Sequence, residues 1–284
     1  MRFLVADCEP EDARDARRAS VGQSAGEAYA ALLCRLVPNA QTLIALPADP
    51  DTRSPTVDDL RDYDGVILTG SPLHLYEPTA AARREVAFMR AVFRSGTPAF
   101  GSCAGLQVAV VAAGGTVRPL PKAHEAGFAR RIWPTEAGRD HPLLAGRPPA
   151  FDAPALHGDE VDQLPPGALH LAQNQHTRVQ AAEIRHEGGV FWGVQYHPEL
   201  SLHEIAAALR RDVDTLVEDG LAPDSEAIEA QAVMVEALGN EPERRDLQWR
   251  LGVDQQVAAD AARQTEVRNF IAHLVRPTRA RRRG

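Results

Sequence analysis

Pro98-Ala99-Phe100-Gly101-Ser102-Cys103-Ala104-Gly105-Leu106-Gln107 decides how the rest of the chain is read. A short apolar strand runs into Gly-x-Cys-x-Gly, and an almost wholly apolar helix follows, expected over Leu106–Ala113. Two glycines flanking one side chain let the chain reverse sharply, because no Cβ blocks the close approach of strand and helix. The side chain between them projects at the C-terminal edge of the sheet, where ligands collect in open α/β folds. Cys103 would also sit at the positive end of the following helix, which favours thiolate over thiol. Alone, the string fits a buried structural cysteine equally well.

Working outward, the first half alternates short apolar runs with longer amphipathic ones, the pattern of a parallel sheet with helices on both faces. Strands are expected at Arg2–Asp7, Gln41–Leu46, Tyr63–Thr69 and Pro98–Gly101, with helices at Gly26–Val37 and Thr79–Ser95. After Gly114-Gly115 come shorter extended runs: Phe128–Trp133, Ala150–Leu156, Leu169–Gln173, Val179–Arg185 and Val190–Gln195. They predict added, partly antiparallel strands. From about Leu202 the composition turns to Ala, Glu, Arg and Leu, so helices are expected to about Val275, broken near Gly220–Pro223 and Gly239–Pro242.

Composition narrows the function. With 284 residues, one α/β domain carrying an appendage is the natural expectation. No run approaches the roughly 18 apolar residues of a membrane span. The opening Met1–Asp7 is too short an apolar run for a secretory signal. Cys8, Cys34 and Cys103 form no closely spaced pair, which argues against a disulfide framework and a structural zinc site and fits a reducing cytoplasm. A net charge of −8 argues against nucleic-acid binding. The arginine-rich tail after Val275 reverses that sign locally and reads as a frayed, solvated terminus.

A base for Cys103 is found in Gly193-Val194-Gln195-Tyr196-His197-Pro198-Glu199. Residues two apart in extended backbone project to one side, so His197 and Glu199 can meet, and Pro198 stiffens the link. Glu199 can accept from one imidazole nitrogen and leave the other facing the thiol. Acyl chemistry also needs backbone donors for the developing oxyanion. Ala104, after the cysteine, is one candidate, and the turn Thr69-Gly70-Ser71-Pro72 offers the other.

These strings, with Leu156-His157-Gly158-Asp159-Glu160-Val161, stand in the order found in class I (triad-type) glutamine amidotransferases. The chain resembles that family over residues 1 to about 210, most closely the stand-alone relatives of the GMP synthase glutaminase domain. The resemblance implies an α/β fold with a three-layer, open, mostly parallel sheet flanked by helices, flavodoxin-like, over residues 1–210, followed by a helical extension over 211–284. It implies that Cys103 attacks the side-chain amide of glutamine to give a γ-glutamyl thioester, with His197 and Glu199 completing the triad. Gly70, Ser71 and Ala104 would supply the oxyanion hole, and Gln107, Gly158 and Asp159 would hold the substrate. His157 reads as structural. No cofactor and no metal are called for.

The expected products are glutamate and ammonia, the latter passed to an acceptor synthetase in trans, since no Ser-Gly-Gly-x-Asp phosphate loop occurs in the chain. The same triad would also serve a γ-glutamyl amide or peptide hydrolase with no partner, a reading for which the small Ala104 leaves room. A non-catalytic binding protein on this fold and a peptidase of the related cysteine-elbow families are the remaining alternatives, and a homo-oligomer is one expected form of assembly. Ser71, where many relatives carry glycine, keeps the backbone donor. The extension would pack an amphipathic face of Ala227–Leu238 or Val253–Leu274 on the sheet domain, or else cap the site.

Overall fold

The computed structural model describes residues 1–121 and 123–283. Its strands are β1 Arg2–Ala6, β2 Gln41–Ala45, β3 Gly65–Leu68, β4 Ala99–Ser102, β5 Thr116–Pro119, β6 Glu125–Pro134, β7 Phe151–His157, β8 Asp159–Gln163, β9 Leu169–Gln173, β10 Ala181–His186 and β11 Gly189–Val194. Nine of them form one sheet in the order β2-β1-β3-β4-β11-β10-β9-β6-β7. The first five are mutually parallel, and the remaining four join as an antiparallel wing. β5 and β8 pair separately as a two-stranded ribbon. The expected α/β architecture with a parallel central sheet is therefore the one observed.

Central strands covered on both faces read as continuous apolar runs, and the alternation of their side chains sorts them into two cores. Phe3, Val5, Ile67 and Phe100 face helix α2 on one side. Leu4, Ala6, Val66 and Leu68 face α4 and α5 on the other. The N-terminal helices are α1 Glu11–Val21, α2 Ala25–Leu36, α3 Val57–Arg61, α4 Ala80–Ser95 and α5 Ala104–Ala112. Ser24 and Glu27 close a capping box that starts α2, and Gly96 in the left-handed region stops α4. α5 is buried nearly throughout, as its apolar sequence requires.

Helices α6 Leu202–Arg211, α7 Val213–Glu218, α8 Ser225–Asn240 and α9 Arg245–Leu251 follow β11, with breaks near the two expected positions. α6, α8 and α9 bury Ile205, Leu209, Ala232 and Leu247 in a third cluster that includes Phe128 of β6. The turns α10 Gln255–Ala258, α11 Asp260–Arg263 and α12 Thr265–Asn269 lead into a π-helical stretch, Phe270–Val275, and into α13 Arg276–Arg283. Phe270, Ile271 and Val275 join the α2-side core of the sheet. The tail departs from expectation: it is a helix held against the body rather than a frayed end. Arg279 lies 3.1 Å from Asp64, and Arg282 donates to the carbonyls of Tyr63 and Gly96 at 3.2 and 2.8 Å.

One ion pair ties these last helices to the wing. Arg147 donates twice to Glu266, at 2.7 Å each, with both side chains buried, and its guanidinium lies over Phe151. Removing one partner of such a pair leaves an uncompensated buried charge. Glu266→Ala is expected to lower unfolding free energy by about 3–5 kcal/mol, read from urea or thermal midpoints. A loss below 1 kcal/mol would show the pair to be energetically silent.

Candidate active site

The parallel strands end together, and the β4–β11 register sets Gly101 beside Gly193 and Ser102 beside Val194. The residues following these two strands therefore emerge side by side. Cys103 adopts φ 53°, ψ −114° between β4 and α5, a conformation rarely tolerated with a Cβ, and its N–H donates to Val194 O at 2.8 Å. The glycines around it are required by contact. A Cβ on Gly101 would lie 2.9 Å from the Gly105 carbonyl carbon, and one on Gly105 would lie 2.6 Å from Leu68 O.

His197 is fixed through its N–H to Pro154 O at 2.8 Å, and its Nδ1 lies 2.6 Å from Glu199 Oε1. The Cys103 side chain lies close enough to the ring to influence its protonation, and its sulfur stands 4.0 Å from Leu156 O. Burial disfavours the imidazolium, but the Glu199 charge, with the neighbouring Cys103, outweighs it and raises His197 to about 10. Glu199 moves in the opposite sense. Burial would raise its carboxyl, and the His197 charge, helped by hydrogen bonds, holds it below the usual range. A carboxylate bonded to an imidazole, with a thiol beside that imidazole, can move a proton to and from a group bonded at sulfur.

Two members of this network escaped the sequence reading. Tyr29 of α2 donates to Glu199 Oε2 at 2.9 Å, and Ser102 donates to Oε1 at 3.1 Å. Their hydroxyls also lie 2.8 Å apart. Ser102 was legible in principle, because the residue before a strand-end nucleophile points to the opposite side of the strand. Tyr29 looked like one more member of an apolar helix stripe.

The other expected residues gather around the same opening. Gly70 and Ser71 follow β3, and Gly70 is packed so closely that a Cβ there would come within 2.9 Å of His197 Cε1. Ala104 opens α5, where the first backbone N–H groups have no intrahelical acceptor. Gln107 is buried, donating to Asp159 O and Gln195 Oε1 at 3.2 Å each. The Asp159 carboxylate meets His74 at 2.7 Å and Tyr76 at 3.3 Å. Gly158 lies against the His124 ring, where any Cβ would collide. Both ring nitrogens of His157 are engaged, with Asp159 O at 2.9 Å and Glu125 Oε2 at 3.0 Å, which fits the structural part expected of it.

Cys103, His197, Gln107 and Gly158 open onto a cavity of about 520 Å³ that continues beneath α1, α6 and α7. Among the described residues, no helix is long and apolar enough to cross a membrane.

The family described as glutamine amidotransferase class-I matches residues 26–213. A γ-glutamyl-L-1-hydroxyisopropylamide hydrolase from a Pseudomonas species is 38% identical over 289 residues, covering 100% of this chain and 96% of that protein. A glutamine-hydrolysing GMP synthase from Thermomicrobium roseum is 33% identical over 192 residues, which is 66% of this chain and 32% of the synthase. A crystal structure of a glutamine amidotransferase from Thermotoga maritima superimposes with a TM-score of 0.64 over 97% of this chain and 98% of its own, at 16% identity. The chain belongs to the class I glutamine amidotransferase family and is an enzyme of that family. It spans about a third of the length of the GMP synthase it matches.

Proposed function

We propose that the enzyme hydrolyses the γ-glutamyl amide bond by way of a thioester on Cys103. The observation that carries this reading is that Cys103 and the hydrogen-bonded pair His197–Glu199 line one cavity together. Sulfur attacks the γ-carbonyl carbon, and the carbonyl oxygen takes up the charge, facing the backbone N–H groups of Ala104 and the Gly70-Ser71 turn. As the C–N bond breaks, His197 gives its proton to the departing nitrogen. Water, deprotonated by the same imidazole, then cleaves the thioester, releasing glutamate and restoring the thiol. Gln107 and the backbone of Gly158 and Asp159 would hold the amino-acid end.

Between glutamine and an N-substituted amide, two observations favour the substituted amide. The hydroxyisopropylamide hydrolase matches this chain along its whole length, residues 211–284 included. Arg211, Thr215 and Leu216, beyond the segment that carries the triad, wall the cavity. In this reading residues 1–210 hold the chemistry, and Arg211, Thr215 and Leu216 complete the wall on the leaving-group side. The match to GMP synthases favours a second reading, glutamine as substrate and ammonia handed to a synthetase in trans.

The test is turnover of glutamine and of γ-glutamyl N-ethylamide, with glutamate, ammonia and ethylamine all measured. The expected result is faster turnover of the ethylamide, with one ethylamine per glutamate. Preference for glutamine would select the second reading, and absence of Cys103-dependent turnover of either would reject both.

A further inference from the structure

The cavity extends well past the reacting bond, and its far half is built by elements outside the triad. β1 lies two strands from β4, so residues following β1 open on the same sheet edge roughly 10 Å from Cys103. On that side stand Glu9, just after β1, Arg17 of α1 and Glu204 of α6, between apolar walls formed by Ala13, Ala208 and Leu216. Gly158 and Asp159 lie toward α5, where Asp159 O is bonded to Gln107. The cavity thus holds, beside Cys103, room for the leaving-group end of a substrate as well as for its amino-acid end.

The polar groups of the far half are incompletely paired. Arg17 Nη2 donates to Glu204 at 2.8 Å, and Glu204 is otherwise occupied in capping Ser201. Arg17 Nη1 stands 3.9 Å from Glu9 Oε1, too far for a hydrogen bond. Arg17 Nε is buried with no partner among the described residues. Glu9 is nearly buried and accepts one long bond, 3.4 Å, from the Ala25 N–H. A cationic donor and an anionic acceptor therefore face the cavity with a gap that a small group could bridge.

The chemistry of the gap selects the group. A hydroxyl accepts from the guanidinium and donates to the carboxylate at once. A carboxylate would accept from Arg17 but confront Glu9 and Glu204, and an ammonium would pair with Glu9 but confront Arg17. A plain alkyl group would gain from the apolar walls but supply neither charge with the bond that a hydroxyl gives. We propose that Glu9 and Arg17, with Arg17 braced by Glu204, form a leaving-group subsite that selects γ-glutamyl amides of amino alcohols. The assignment rests on the γ-glutamyl amide chemistry proposed above and adds the residues that read the amine.

The test compares kcat/KM of the purified enzyme on γ-glutamyl N-(2-hydroxyethyl)amide, γ-glutamyl N-ethylamide and γ-glutamylglycine. The hydroxyethylamide is expected to exceed the ethylamide by roughly tenfold or more, the worth of a hydrogen bond to a charged group. In Arg17→Met and in Glu9→Gln that ratio should fall toward one, mainly through KM. A wild-type ratio at or below one, or preference for γ-glutamylglycine, would overturn the subsite. So would a preference that persists unchanged in both variants. In each of those outcomes, Cys103-dependent turnover of the amides leaves the underlying chemistry standing. Loss of turnover on all three would reject that chemistry itself. The wild-type comparison decides the matter even where a variant does not fold.

Discussion

Replacing Cys103 with alanine is expected to abolish release of glutamate from any γ-glutamyl amide, a fall of at least about 10⁴-fold in kcat. The reading needs a covalent thioester, and the chain offers no second thiol in position to make one. Cys8 is buried beneath the sheet edge, its thiol pushed up by burial and by the nearby Glu85, and Cys34 is exposed on α2. Neither is part of the hydrogen-bonded chain around His197. Alanine keeps a Cβ, so the positive φ of the elbow is no harder to hold than before, and the cavity should still bind substrate. The expected pattern is therefore lost kcat with nearly unchanged ligand affinity by calorimetry. An electrophilic glutamine analogue should label the wild type once and the variant not at all, while Cys34→Ala should behave as wild type. Turnover by Cys103→Ala above background would remove the thioester from the mechanism.

How much of this was legible in the sequence depends on whether the causes are local. The elbow was, because the glycine spacing answers a contact between adjacent elements: Gly101 against Gly105, and Gly105 against Leu68. His197 and Glu199 were, because two residues in extended backbone share a side. The missed elements are those whose polar residues are neutralised from far away. α1 carries few apolar residues, and its buried Arg14 is neutralised by Asp49, which meets it at 2.6 Å. β8 is acidic and unlike a strand in sequence, yet Arg118 of its partner β5 lies 2.8 Å from Glu160. The tail helix, rich in arginine, is held by Asp64 and by two carbonyls, partners more than 180 residues away in sequence. Tyr29 belongs to the same class, since it meets Glu199 across 170 positions.

That network gives the second large effect its form. Glu199→Gln is expected to lower kcat by about 10³–10⁴-fold, because the imidazole loses both its orienter and the charge that stabilises its protonated form. The direction in pH follows from the balance at His197. Burial alone lowers its pKa; Glu199, with help from the sulfur, overcomes this and raises it to about 10. His197 must carry a proton to give to the departing nitrogen, and it carries one only below that value. The wild-type rate should therefore persist well into alkaline pH and decline toward 10. With the carboxylate neutralised, burial is left with less opposition, so the alkaline decline should move to markedly lower pH. Tyr29→Phe offers a graded step along the same axis. It removes one donor from Glu199 without removing the charge, so a loss of about tenfold with a small shift of the limb is expected. A purely structural role for Tyr29 or Glu199 would lower stability and leave the shape of the profile alone. Superimposable pH profiles for wild type and Glu199→Gln would therefore separate Glu199 from the chemistry, however slow the variant proved to be.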